Sequence, residues 1–171
     1  MKTRSIHIRS AILLLMACAV SAGPAQGALD SSSSIVIVPT VSVGSLHAEM
    51  TPAQVVAELG TPDTNREGIL EYWNLGLSVS FRQDRIHIVL CVDPSGQGSP
   101  FKRAFAGHTQ EGIAIKSSRA DVIRAYGEPT RTEALGGKPS GEILRYRQQG
   151  LYFRLRDGKV DTIGVIFYPP K

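Results

Sequence analysis

The side chains able to do chemistry are few and scattered. Outside the N-terminal leader the histidines are His47, His87 and His108. No Cys-x-x-Cys is present, so zinc-ligand spacing is missing. Cys91 lies in the apolar run Ile86-His87-Ile88-Val89-Leu90-Cys91-Val92, where it reads as a small buried hydrophobe of a strand. A reactive thiol would need a neighbouring base or cation, and the run supplies none. The serines of Pro94-Ser95-Gly96-Gln97-Gly98-Ser99-Pro100 do not form Gly-x-Ser-x-Gly, and no strand-turn-helix surrounds them. Gly96-Gln97-Gly98 lacks the third glycine and the helix of a dinucleotide fingerprint. These residues point to no catalytic centre, no metal and no cofactor.

The elements that would position such residues repeat along the chain. Thr51-Pro52-Ala53-Gln54-Val55-Val56-Ala57-Glu58-Leu59-Gly60-Thr61-Pro62 matches Ser118-Arg119-Ala120-Asp121-Val122-Ile123-Arg124-Ala125-Tyr126-Gly127-Glu128-Pro129 at an offset of 67. Each segment predicts one short helix. Thr51 and Ser118 are N-caps, with Gln54 and Asp121 placed to complete a capping box. Val55, Val56 and Leu59 make one apolar stripe; Val122, Ile123 and Tyr126 make its counterpart. Gly60 and Gly127 supply left-handed C-caps, and Pro62 and Pro129 forbid continuation. Helices of two turns cannot stand alone in water, so each must lie on strands.

The strands repeat too. Ile69-Leu70-Glu71-Tyr72 matches Ile143-Leu144-Arg145-Tyr146 at an offset of 74, the difference being a loop around Gly136, Gly137 and Gly141. Leu77, Val79 and Phe81 alternate with Ser78 and Ser80, and Leu151, Phe153 and Leu155 repeat that alternation. Gln83-Asp84 and Asp157-Gly158 occupy the same hairpin turn. Ile86–Val92 and Val160–Phe167 then return. The expected fold is α+β: two tandem units, each a short helix packed on a three-stranded antiparallel meander. Residues 39–94 form the first unit, 95–103 a linker and 104–171 the second. The carboxylates Glu71 and Asp84 face Arg145 and Gly158 in the repeat, so no acid pair recurs.

Ahead of the units, Lys2, Arg4 and Arg9 precede the ten-residue apolar run Ala11 to Val20 and then small residues. This is the pattern of a secretory signal peptide over residues 1–22, and it is too short to span a membrane. Val20-Ser21-Ala22 fits cleavage before Gly23, giving a soluble mature protein. Leu15-Met16-Ala17-Cys18 resembles a lipobox and would instead anchor a lipid on Cys18; the soluble form is favoured. Residues 23–38, rich in serine and glycine at their start, are expected to be a flexible tether. Removing the leader takes Lys and Arg from 19 to 16 against 15 acids, a net charge of +1. A chain so nearly neutral has no electrostatic footprint for nucleic acid.

The run Thr-x-x-x-Val-x-x-x-Leu-Gly-x-Pro, followed by strands and an Asp-Gly-Lys-Val hairpin, resembles the BamE/SmpA-OmlA and β-lactamase-inhibitor-protein (BLIP) group from about Val43 to Tyr168. BLIP-like proteins are similar in carrying two such units. The resemblance implies an envelope or secreted binding protein with helices on an antiparallel sheet. BamE-like proteins are lipoproteins of outer-membrane assembly, and BLIP-like proteins inhibit a secreted enzyme. The segment Val43-Gly44-Ser45-Leu46-His47 before the first capped helix is not helical by pattern, unlike the family's first helix. The function expected is a secreted or periplasmic, non-catalytic protein-binding module of the cell envelope. The alternatives are an inhibitor of a secreted enzyme and, more remotely, a hydrolase.

Alternation places the candidate binding face. If the apolar positions pack under the helices, Trp73, Arg145, Arg147, Tyr152 and Arg154 point outward, together with Ser78 and Ser80. Trp, Tyr and Arg are the usual anchors of protein interfaces. A protein partner bearing an acidic or aromatic patch is therefore expected there.

Overall fold

The computed structural model describes residues 35–95, 98–136 and 140–168. The leader with Cys18, tether residues 23–34, and Gly96, Gln97 and Gly137 lie outside the described residues. The elements in chain order are β1 (Val36–Val38), β2 (Ser42–Val43), β3 (Leu46–His47), α1 (Pro52–Leu59), β4 (Thr64–Arg66), β5 (Ile69–Tyr72), β6 (Leu77–Arg82) and β7 (Arg85–Val92). They continue with β8 (His108–Thr109), α2 (Arg119–Tyr126), β9 (Arg131–Leu135), β10 (Gly141–Tyr146), a 3-10 turn at Arg147–Gln149, β11 (Leu151–Arg156) and β12 (Lys159–Ile166). No helix among the described residues is long and apolar enough to cross a membrane.

Both helices begin at true capping boxes. Thr51 Oγ1 accepts from the Gln54 amide at 3.3 Å while Gln54 Oε1 accepts from the Thr51 amide at 2.9 Å. Ser118 and Asp121 exchange the same bonds at 3.2 and 3.0 Å. The helix ends differ in one detail from the left-handed cap expected. Gly60 and Gly127 have φ of 85° and 75° with ψ of −168° and −164°, a region open essentially to glycine alone. A Cβ on Gly127 would meet nothing within 4 Å, so its cost is conformational only. Gly127→Ala should therefore destabilise by about 1–2 kcal/mol. Thermal melts of the two proteins check this, and an unchanged midpoint would mean the helix end rearranges without strain.

The expected fold class does not hold. Over the described residues the protein is predominantly β, with two α-helices, and its strands do not divide into two helix-on-meander units. One eight-stranded sheet runs β4-β5-β6-β7-β12-β11-β10-β9, and a second, four-stranded sheet runs β3-β2-β1-β8. Two physical causes account for the difference. The edge strands β4 and β9 are polar and lack apolar alternation, so each half has four strands in the large sheet where three were expected. The returning strands β7 and β12 pair antiparallel with each other, from Ile88↔Ile166 to Val92↔Thr162. At that seam Val89, Cys91, Ile163 and Val165 are fully buried, so neither half closes a core without the other.

The internal repeat is nevertheless visible in the contacts. Tyr72 Oη donates to the Gly60 carbonyl at 3.3 Å, and Tyr146 Oη donates to that of Gly127 at 2.9 Å. The Ile86 amide donates to the Met50 carbonyl and the Val160 amide to that of Ser117, at 3.2 and 2.9 Å. Register shifts fall after Ser80 and after Arg154. Both helices face one side of the large sheet, where Val55 and Val122 join Leu70, Tyr72, Val79, Leu144, Tyr146 and Phe153 in a continuous core.

The small sheet belongs to the same core through Ile37, Val43 and Leu46. The end of the expected tether is ordered: Val36–Val38 form β1, which runs antiparallel to β2 and parallel to β8. It bridges the halves, because the Ile35 carbonyl accepts from His108 at 2.9 Å and that of Val36 from Gly44 at 3.0 Å. Strand-turn-strand, with Gly44 at φ 57°, occupies Val43 to His47.

Candidate protein-binding face

The helices and the small sheet leave the other face of the large sheet uncovered, apart from the linker around Phe101. Period-two alternation puts Glu71, Ser78, Leu90, Gly164, Tyr152, Arg145 and Arg131 on this face in one row, partner to partner across seven strands. Ile88, Leu90, Ile143 and Ile166 are half-buried on it, and Ile69 is 39% exposed. These apolar positions sit among braced charges, the anatomy of a surface with an apolar centre and a polar rim.

The second half carries most of the polar structure. Tyr152 lies over Gly164, where any Cβ would stand 2.1 Å from its ring, so the glycine makes the bed for the aromatic. The Arg145 guanidinium is 5.5 Å from the Tyr152 ring centroid and forks onto Glu133 through Nε and Nη2 at 2.8 and 3.0 Å. That fork, with Arg131 Nε at 3.2 Å, holds the Glu133 carboxyl below its usual range. One row along, Arg154 Nε meets Asp161 Oδ1 at 2.6 Å and Arg156 Nε meets Asp161 Oδ2 at 2.8 Å. The bulge after Arg154 is what turns Asp161 toward these arginines. Strict alternation would have aimed it, with Ile163 and Val165, into the core.

Of the five residues assigned to the face from sequence, the structure brings three together: Arg145, Tyr152 and Arg154. Trp73 and Arg147 stand apart from each other. They follow β5 and β10, which run in opposite directions because β7 and β12 pair antiparallel, so the two occupy opposite ends of the sheet. Trp73 is also four strand spacings from β11, about 19 Å of sheet. Its indole Nε1 donates to Glu71 at 3.1 Å, its carbonyl accepts from the Lys102 and Arg103 amides, and Lys102 Nζ lies 5.8 Å from its ring centroid. Trp73 thus holds the linker. Arg147 is exposed on the 3-10 turn, beside a cleft of about 570 Å³ lined by His87, Arg131, Arg145, Ile166 and Tyr168.

Sequence reasoning missed Glu133, Arg156 and Asp161. The available signal was an Asp at a core-phase position of a strand, facing a hairpin partner that carries two arginines. The other candidate chemistry stays dispersed. Cys91 is fully buried, and burial pushes its thiol pKa up. His108 Nδ1 lies 2.8 Å from the Thr109 carbonyl, while His47 is exposed at the small sheet's edge. Among the described residues no group of three or more His, Cys, Asp or Glu side chains converges as metal ligands would.

No family model matches this chain, and no curated protein does. Among solved structures it is similar to an extracellular protein containing an SCP domain from Bacillus anthracis str. Ames, at 10% identity and a TM-score of 0.40, covering 70% of this chain. The chain spans 44% of that protein's length. At that identity and score the likeness assigns neither fold nor activity.

Proposed function

We propose that this protein is an exported, non-catalytic binding module of the cell envelope that engages a protein partner through the uncovered face of its eight-stranded sheet. The observation that carries the reading is the half-buried apolar patch of Ile88, Leu90, Ile143 and Ile166 beside the pre-braced Arg145–Tyr152 pair. An antiparallel sheet can leave one face wet, and a purely solvated face would alternate to polar residues. Here the central strand β7 alternates to Ile88, Leu90 and Val92. Export rests on the charged, apolar and small-residue order of the first 22 residues.

Leu90→Asp and Ile143→Asp, made singly, test the reading. Each places a charge in the patch without touching the helix-side core. Both variants should keep the parent's circular dichroism and lose a co-purifying envelope partner by about tenfold or more. Retention of every partner by two folded variants would reduce the face to solvated surface.

A further inference from the structure

We propose that the cleft at the Asp161 end of the uncovered face is a binding site for a small organic anion, an apolar or aromatic body carrying a carboxylate or phosphate. The cleft has a volume of about 410 Å³, within the range of small-molecule sites. Leu90, Phe101, Ile143 and Tyr152 furnish its apolar wall, and Arg154, Arg156, Asp161 and Thr162 its polar end.

The polar end is built before any ligand arrives. Asp161, 7% exposed, takes Arg154 on one carboxylate oxygen and Arg156 on the other, each through Nε. One carboxylate cannot satisfy two guanidinium groups, which together carry about ten N–H donors. The triad therefore keeps one positive charge and spare donors in fixed positions, the arrangement that suits a planar or tetrahedral oxyanion. The nearby Asp93, also 7% exposed, does not cancel that charge, because it is already paired with Lys116 and accepts from the Ser95 hydroxyl at 2.6 Å.

A second observation is independent of the arginines. Thr162, 3% exposed, has a buried Oγ1 with no hydrogen-bond partner. A buried hydroxyl left unpaired is costly and calls for an explanation such as a bound group. Thr162 lines the cleft, and rotation about its Cα–Cβ bond would turn Oγ1 out to a ligand oxygen held by the arginines, which would supply the missing partner.

The repeat adds a third. At the offset of 74, Ser80, Arg82, His87 and Ile88 stand where Arg154, Arg156, Asp161 and Thr162 stand. The first half builds the same bulged hairpin without the ionic triad or the threonine, so the scaffold does not require them.

The cleft shares Leu90, Ile143 and Tyr152 with the proposed docking patch, but anion binding needs no protein partner and is tested on the purified chain alone. Phenylacetate and phenyl phosphate are titrated against it, with 2-phenylethanol as the neutral control, and amide chemical shifts are followed. Saturable binding of at least one anion is expected, with shifts centred on Arg154 and Thr162, and the neutral compound should bind about tenfold more weakly. The better anion distinguishes carboxylate from phosphate. Arg154→Gln combined with Arg156→Gln should lower affinity about tenfold or more. Because that variant leaves Asp161 unpaired, Thr162→Val serves beside it: it should melt no lower than the parent and still bind several-fold more weakly. Equal affinity for the neutral compound, no saturable binding by either anion, or unchanged affinity in folded Thr162→Val would overturn the proposal.

Discussion

Phe153→Ala should lower the unfolding free energy by about 4 kcal/mol. Phe153 is fully buried at the centre of β11, with ring centroids 5.3 Å from Tyr126 of α2 and 5.8 Å from Tyr146 of β10. Tyr126 and Tyr146 also meet each other, at 5.5 Å. The trio pins α2 to the sheet, and Tyr146 then reaches past the helix end to bond the Gly127 carbonyl. Truncation removes one ring of this triangle, and the other two are tied elsewhere, Tyr146 to Gly127 and Tyr126 to Glu111, so neither can swing in to fill the space. The first half offers an internal control. Val79 stands at the equivalent position, fully buried, without an aromatic trio. Val79→Ala removes two methyl groups and should cost about 2 kcal/mol. Denaturant titration of both variants checks the contrast. Equal losses would mean that the larger ring and its aromatic neighbours contribute no more than the valine does.

Gly76→Ala should cost about 3 kcal/mol, well above the loss expected for Gly127→Ala. Both glycines have positive φ, 64° and 75°, so both carry the conformational penalty. They differ in what a Cβ would meet. At Gly127 there is open space. At Gly76 a Cβ would lie 2.4 Å from the Phe105 amide nitrogen and 2.8 Å from the Arg103 carbonyl oxygen. Those atoms are backbone, so relief requires moving the linker. The linker is itself clamped, by the Lys102 and Arg103 amides on the Trp73 carbonyl and by the Phe105 amide on that of Val92. The pair of variants separates strain from crowding. Similar melting temperatures for the two would show that the linker yields freely and is not anchored by the turn between β5 and β6.

The sequence carried local structure further than long-range structure. Both helices, their N-terminal capping boxes and the hairpins at Asp84 and Asp157-Gly158 were legible because each depends on residues within a few positions of one another. The joining of the halves was not. Pairing of Ile88–Val92 with Thr162–Ile166 depends on partners some seventy-four residues apart in a pattern that fits any buried strand equally well. β1 was hidden because its three residues adjoin a serine-rich run. The candidate face was legible only in part. Alternation correctly turned Tyr152, Arg154 and Arg145 away from the core, but it says nothing of where along a sheet two strands end. Alternation therefore groups Trp73 and Arg147 on one face, while the antiparallel seam sends these two equivalent positions to opposite ends. Asp161 escaped because a bulge breaks the alternation at that residue.

Duplication with divergence gives these differences a common meaning. The two halves keep the capping boxes, the tyrosine bonds and the bulges, while Ser78 and Ser80 of one half stand opposite Tyr152 and Arg154 of the other. The retained caps, tyrosines and bulges build the scaffold, while the diverged pairs Glu71/Arg145, Ser78/Tyr152 and Ser80/Arg154 lie on the uncovered face. Docking there is tested most directly by site-specific photocrosslinking in cells that produce the protein. Benzoylphenylalanine would be placed at Leu90 and Ile143 on the face, and at Glu58 and Arg124 on the exposed sides of the helices. The docking reading predicts one discrete protein adduct from positions 90 and 143 and none from 58 and 124. No adduct from the face, or equal yields from all four positions, would contradict it.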